Sequence, residues 1–171
     1  SFTPSTGTVT FVGDADAAAD TFEIASETFY NLTINAEAAD TVSAAGALTV
    51  SNDFALSGGT FNPGPYTHTV SGNWTETGGT FSPTAGTFIL DGTPAITQSG
   101  NAFFDLVLSS GATTSSDISI SRNLTLNGGT LDGQNNTVNV GGDWTNNAGA
   151  TGYNGGTTGT VRFFGNSYDS R

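Results

Sequence analysis

The sequence predicts an all-β protein whose chain folds as a single parallel β-solenoid of roughly eight coils. Two observations lead to this prediction. Apolar and polar residues alternate with a period of two in short segments, as in strands that bury one face. Corresponding segments recur roughly every 18–24 residues, which is about the length of one solenoid coil. At about 4.8 Å per stacked strand, the coils would form a rod about 40 Å long.

A longer repeat is superimposed on the coils. The motif Gly7–Phe11 recurs as Gly86–Leu90 and again as Gly159–Phe163. The alternative architecture is a pair of immunoglobulin-like sandwiches, because a unit of roughly 75 residues is nearly long enough for one. The shorter period continues inside each unit, however, and favours the solenoid. The single domain, residues 1–171, therefore divides into a first unit 7–85, a second unit 86–158 and the start of a third unit 159–171.

Glycine pairs mark the expected corners between strands. We expect them to supply positive φ angles, which glycine adopts without steric cost. The stretch Asp14–Glu23 has no full counterpart in the second unit, and we expect a corner loop there in preference to a short helix. The glycine pairs are at 58–59, 78–79, 128–129 and 141–142.

Composition excludes several classes of function. The chain has 15 acidic residues against three arginines and no lysine, for a formal net charge of -12. Such a chain does not track a phosphate backbone or an anionic membrane surface, so we expect no nucleic-acid partner. Without cysteine and with one histidine, it offers no thiolate chemistry and no ordinary zinc site. No apolar run reaches about 18 residues, so we expect no membrane insertion.

Two segments of the second unit resemble known proteins. Residues 123–131 read Asn-Leu-Thr-Leu-Asn-Gly-Gly-Thr-Leu, and residues 137–146 read Thr-Val-Asn-Val-Gly-Gly-Asp-Trp-Thr-Asn. They resemble repeats of large bacterial surface proteins similar to filamentous haemagglutinins and autotransporter passengers, over roughly residues 7–165. The resemblance implies a right-handed parallel β-helix in an exported, extracellular protein of the cell surface. It also implies an adhesin or structural role, with no catalytic residue.

Carboxylates are the first candidates for chemistry, because polysaccharide-cleaving enzymes use clustered acids. Here asparagine and aspartate exchange between the two units at matched positions. Both side chains accept a turn hydrogen bond, whereas only aspartate carries a charge, so we expect a corner role and no enzyme activity. The matched pairs are Asn31 with Asp105, Asp53 with Asn123, Asn62 with Asp132 and Asn73 with Asp143.

Four carboxylates within ten residues form a calcium candidate: Asp14, Asp16, Asp20 and Glu23. Carboxylate oxygens suit a hard cation such as calcium. The spacing is not that of an EF-hand, because the glycine of the sharp turn is missing. We favour a solvated acidic loop and expect no cofactor.

The remaining candidates favour structural roles. His68 matches Val138, an inward position, and we expect a partly buried structural histidine. Aromatic residues at matched positions form either a sugar-stacking platform or ladders inside the core, and we favour the core. They are Phe29, Tyr30, Phe103, Phe104, Trp74 and Trp144. Outward threonines would form a hydroxyl array at Thr33, Thr49, Thr69, Thr75, Thr125 and Thr145.

The ends of the rod guide the functional expectation. A solenoid without a cap exposes strand edges and an apolar column. Twelve of the 15 acidic residues precede Arg122, so head-to-tail contact is not forbidden by charge. We expect a structural or adhesive module, either a segment of a larger surface protein or a subunit that stacks into a filament. Its partners would be neighbouring repeats, other copies or surface glycans; the alternative is a carbohydrate-binding or polysaccharide-cleaving β-helix.

Overall fold

A computed structural model describes residues 5–14, 16 and 18–165 and confirms an all-β solenoid of about eight turns. Within these residues every strand pairing is parallel, which excludes immunoglobulin-like sandwiches. The strands, in chain order, are β1 (Thr8–Val12), β2 (Thr21–Ile24), β3 (Glu27–Phe29), β4 (Asn31–Asn35), β5 (Thr41–Ala44), β6 (Leu48–Val50), β7 (Phe54–Gly58), β8 (Thr60–Asn62), β9 (Thr67–Val70), β10 (Trp74–Glu76), β11 (Thr80–Phe81), β12 (Thr87–Leu90), β13 (Ala95–Thr97), β14 (Asp105–Leu108), β15 (Ala112–Thr114), β16 (Ile118–Ile120), β17 (Leu124–Leu126), β18 (Leu131–Asp132), β19 (Thr137–Val140), β20 (Trp144–Asn146), β21 (Tyr153–Asn154) and β22 (Thr160–Phe163).

Each coil visits three faces in the same order. Face 1 is an eight-stranded sheet in the order β1-β4-β7-β10-β13-β15-β18-β21. Face 3 is a seven-stranded sheet that runs from β3 to β20. Face 2 lies between them in each coil and has two sheets, β2-β5-β8-β11 and β16-β19-β22. The two sheets of face 2 are separate because the fifth coil has only a single bridge there, Phe103 to Ile120.

The apolar core fills the inside of the coils. Inward residues alternate with outward ones along each strand, as in β4 with its buried Leu32 and Ile34. In the middle of the rod Trp74 is fully buried and stacks on Phe54, with ring centroids 4.3 Å apart. Its edge contacts the ring of Phe88 at 5.0 Å. Because large aromatic side chains bury much apolar area, this cluster is a main source of stability.

Among residues 5–165, as far as the structure describes them, nothing covers the core at either end of the rod. The hydrophobic residues that pack against the core without being fully buried all lie in the first coil or the last two coils. They are Val9, Phe11 and Phe22 at one end and Trp144, Tyr153 and Val161 at the other. Large apolar side chains are also exposed at these ends: Val12, Phe163 and Phe164.

The long sequence repeat does not stack on itself. The motif of β1 on face 1 recurs in β12 on face 3 and in β22 on face 2. Likewise β7 and β17, which carry matched sequences, lie on faces 1 and 3. A unit therefore contains a whole number of strands but not a whole number of coils. Each unit begins one face away from the preceding one.

The backbone conformation of the inserted stretch and of the glycine pairs can be compared with the two local predictions. The described part of the inserted stretch Asp14–Glu23 is a loop that leads into β2, as expected; positions 15 and 17 lie outside the described residues. Positive φ is confirmed at Gly59, Gly79 and Gly129, but the expectation for the pair 141–142 was wrong. A Cβ at Gly141 would lie 2.2 Å from the Ser121 carbonyl oxygen, so close approach of the backbones explains that glycine.

Candidate functional site

The exchanged Asn and Asp side chains bind backbone at the corners. Before face 1, Asn31 Oδ1 accepts the N–H of Asp53 at 3.1 Å, and Asp53 Oδ1 accepts the N–H of Asn73 at 2.8 Å. Asn73 Oδ1 then accepts the N–H of Ala95 at 2.9 Å. Each side chain thus links its coil to the next one, which is the corner role that the sequence predicted.

The second unit forms the same series of side-chain to backbone hydrogen bonds between successive coils, which we call a ladder, at another corner. Before face 3, Asp105 Oδ1 accepts the N–H of Asn123 at 3.0 Å, and Asn123 Oδ1 accepts the N–H of Asp143 at 3.0 Å. The fourth matched pair closes local turns instead: Asn62 Oδ1 accepts the N–H of Gly64, and Asp132 Oδ1 accepts that of Gln134. The four aspartates of these pairs are spread over three corners of the rod and do not converge on one face.

The two ladders differ in charge at one matched position. In the first unit Asn52 Nδ2 donates to Asn31 Oδ1 at 2.8 Å. At the equivalent place in the second unit Arg122 forms a two-pronged ion pair with Asp105, its Nε donating to Oδ1 at 2.8 Å. The hydrogen bonds that Arg122 donates to Asp105 raise the pKa of Arg122, and the guanidinium also lies 4.8 Å from the ring centroid of Phe104. A neutral amide pair and an ion pair therefore occupy matched positions of the two units, at two different corners of the rod.

The acidic residues near the N-terminus form a larger cluster than the sequence indicated. The backbone N–H of Asp20 donates to Asp40 Oδ1 at 3.0 Å, and that of Glu37 donates to Asp40 Oδ2 at 3.2 Å. Desolvation raises the pKa of Asp20, and the negative charges of Asp14, Asp40, Asp16 and Glu37 raise it further. The signal in the sequence was the spacing of 20 residues, one coil, between Asp20 and Asp40.

The structure separates the calcium candidates. Glu23 is exposed on the outside of β2, whereas Asp16 lies in the loop and its Oδ1 accepts the N–H of Ala18 at 2.7 Å. Within residues 5–14, 16 and 18–165, no group of three or more His, Cys, Asp or Glu side chains is placed to hold a metal ion. Calcium binding by Asp14, Asp16, Asp20 and Glu23 stays a hypothesis without support from this geometry.

His68 is confirmed as a structural residue, and it is more buried than expected. Only 1% of it is exposed. Its Nδ1 accepts the N–H of Leu48 at 3.2 Å, and its Nε2 lies 2.9 Å from the carbonyl oxygen of Pro63, which requires the proton on Nε2. Burial lowers the pKa of His68, and the bond to Pro63 offsets this in part. The void beside it offers about 10 Å³, at the lower limit for one water molecule.

The aromatic candidates divide between core and surface. Phe29, Phe103 and Trp74 are buried, as the core prediction required. Trp144 is partly buried at the open C-terminal end, and Tyr30 and Phe104 lie half-buried at corners. The rings therefore do not form one continuous sugar-stacking platform.

Glu76 was not singled out from the sequence. It occupies an inward position at the end of β10 and is 1% exposed. Its Oε1 accepts Ser99 Oγ at 2.9 Å and the amide of Asn101, while Oε2 is buried without a hydrogen-bond partner. The matched residue in the second unit, Asn146, is exposed. A buried carboxylate at this position is therefore found in the first unit and is not repeated in the second.

The outer surface of face 3 is a stack of β-branched side chains. Successive pairings align Thr28, Thr49 and Thr69 in the first three coils, followed by Ile89, Val107, Thr125 and Thr145. Four of the six threonines expected to point outward therefore lie in this column. Thr33 and Thr75 belong to face 1. The column presents hydroxyl and methyl groups at the spacing of stacked strands.

Neither a protein-family model, nor a curated protein, nor a solved structure matches this chain. In the part of the chain that the structure describes, no helix has the length and apolar character needed to cross a membrane. The two most distinctive features of the rod are the Asn and Asp side chains that bind backbone at its corners and an apolar column that, within the described residues, is uncovered at both ends.

Proposed function

We propose that this chain is a non-enzymatic structural or adhesive module of an extracellular protein, in which a stiff rod presents its side faces and joins further coils at its ends. The observation that carries the proposal is the apolar column, which in the described part of the chain is enclosed along the sides and uncovered at both ends. The corner Asn and Asp side chains support it, because the ladder bonds use their oxygens to hold coils together. The resemblance to bacterial surface repeats supports the extracellular setting.

Electron microscopy of the purified chain in negative stain, together with light scattering over a concentration series, tests this proposal. We expect rods that lengthen by joining at their ends as concentration rises. Compact particles without a long axis would contradict the rod. A panel of acidic and neutral polysaccharides, assayed for release of reducing ends, tests the absence of enzyme activity in the same preparation.

A glycan-binding module is the second candidate. The observation in its favour is the half-buried ring of Phe104 beside Arg122 and Asp105, a combination of aromatic and charged groups that sugars can engage. Glycan-array binding that is lost in Phe104→Ala, with unchanged thermal unfolding, would favour this candidate over the purely structural module.

A further inference from the structure

The two ends of the rod carry opposite charge. The first coil, residues 8–29, contains Asp14, Asp16, Asp20, Glu23 and Glu27 and no basic residue. Residues 144–165, which form the C-terminal end, contain Arg162 as their single charged residue. The formal charges are therefore -5 and +1. Both ends also present strand edges without a neighbour among the described residues: β1, β2 and β3 at one end and β20, β21 and β22 at the other.

We propose that the C-terminal end of one copy docks head to tail onto the N-terminal end of a second copy, with β22 pairing in parallel with β2. This inference rests on the proposed function and deepens it by naming the partner and the register. Both strands are edge strands of face 2, so the contact continues the same face from one rod to the next.

The side chains of the two strands match in one register. In this register Thr160 lies beside Thr21 of the second copy, Val161 beside Phe22, Arg162 beside Glu23 and Phe163 beside Ile24. Val161 and Phe163 pair with the buried Val138 and Val140, and Phe22 and Ile24 pair with Val42 and Ala44, so these apolar residues all point into the column. Arg162 and Glu23 are both exposed on the outside, and the contact makes them cross-strand neighbours.

The backbone supports the same register. On face 2 four strands begin with a threonine whose N–H donates to the carbonyl one residue before the first strand residue of the preceding coil. Thr41 donates in this way to Asp20 at 2.8 Å, Thr60 to Asp40 at 2.8 Å and Thr160 to Asn136 at 3.3 Å. In the docked pair, Thr21 of the second copy would donate to Gly159, which extends the pattern by one step.

Charge selects a head-to-tail arrangement. Two N-terminal ends facing each other would bring together two formal charges of -5, which repel. The proposed contact brings a formal charge of -5 against one of +1, which attract. Such a contact joins two different surfaces. It leaves a free end on each copy, so association continues into an open filament.

Reversal of the paired charges tests the interface in the full chain. Association is measured by sedimentation velocity at low salt. We expect Glu23→Arg and Arg162→Glu each to weaken association about tenfold or more, because an attractive pair becomes a repulsive one. The double variant restores the opposite charges, and we expect its association to return to within about threefold of the original.

Asp91→Arg is the matched control, because Asp91 is exposed on the body of the rod and its replacement changes the net charge as Glu23→Arg does. We expect it to leave association intact. Loss of association equal to that of Glu23→Arg would overturn the proposed pair, and so would failure of the double variant to recover.

Disulfide trapping tests the register, since the chain contains no cysteine of its own. A mixture of two full-length variants, Thr21→Cys and Thr160→Cys, keeps the charged pair in place. Neighbouring parallel strands bring Cα atoms to about 4.8 Å, within the range for a disulfide. We expect a mixed dimer under mild oxidation and little dimer when Thr28→Cys on face 3 replaces Thr21→Cys. Equal yields would overturn the register.

Different results would overturn the head-to-tail interface and the proposed structural module. A chain that stays monomeric up to about 1 mM overturns the head-to-tail contact. The module itself fails only if the particles are not rods or if the polysaccharide assay detects cleavage.

Discussion

The two sequence units give the same motifs different structural roles. Trp74 and Trp144 occupy matched positions, yet Trp74 on face 1 is enclosed by four aromatic neighbours from three coils, whereas Trp144 lies in the last two described coils on face 3. The ladder residues also change corner between the units. In both units the motif determines whether a side chain points into the core or accepts a backbone hydrogen bond at a corner. Position along the rod determines how much stability it contributes.

The largest expected difference is between the two tryptophans. Trp74→Ala removes a fully buried indole and should lower the free energy of unfolding by about 3–5 kcal/mol. Trp144→Ala should lower it by about 1 kcal/mol, since that ring is only partly buried. Urea unfolding followed by circular dichroism measures both. Equal decreases in the free energy of unfolding would contradict the contrast between the centre and the end of the rod. If Trp74→Ala does not fold, the milder substitution Trp74→Phe can be measured in its place.

The next contrast concerns the ladders. Asp53→Ala removes the acceptor of the Asn73 N–H and should cost about 1 kcal/mol. Asp53→Asn keeps that acceptor, as Asn123 does in the second unit, and should cost far less. Asp143 is exposed and ends its ladder, so Asp143→Ala should be nearly neutral. A large effect of Asp53→Asn in the same urea titrations would show that charge matters there and not the hydrogen bond.

His68 gives the first unit a pH dependence that Val138 cannot give the second. Because burial lowers the pKa of His68 in the folded state, the unfolded chain binds a proton more readily. Stability should therefore fall as pH drops below the ordinary histidine pKa of about 6.5, with a slope of at most about 1.4 kcal/mol per pH unit. His68→Gln does not titrate and should flatten the profile on the acidic side of about pH 6.5. A slope unchanged by this substitution would assign the effect to carboxylates.

The smallest contrast is between the neutral and the charged corner pair. Asp105→Asn and Arg122→Asn together recreate the Asn31–Asn52 arrangement. Since the Arg122 side chain is 46% exposed, we expect a coupling energy of only about 0.5–1 kcal/mol in a double-mutant cycle. The coupling should shrink at high salt. Additive single effects at low salt would mean that the ion pair contributes nothing beyond its separate hydrogen bonds.

Much of this structure could be predicted from the sequence, because a solenoid is built from local patterns. Alternation marked inward residues such as Leu32 and Ile34, and the exchange of Asn31 with Asp105 predicted a corner role. The acidic cluster was predicted only in part, because Asp40 joins Asp20 through stacking one coil later. The role of the pair 141–142 was missed because it depends on how closely Ser121 approaches, which no local pattern records.

By itself the sequence determined the period-two alternation, the coil length of about 20 residues and the residues that turn corners, since each follows from local backbone geometry. Only the tertiary structure decided which face each motif occupies. A long unit that falls one face short of a whole number of coils shifts its motifs back by one face per repeat, so the same Gly-Thr motif lies on faces 1, 3 and 2 in β1, β12 and β22. The tertiary structure also decided what becomes buried, because burial in a stack requires a coil on both sides, and the first and last of the described coils have one described neighbour each.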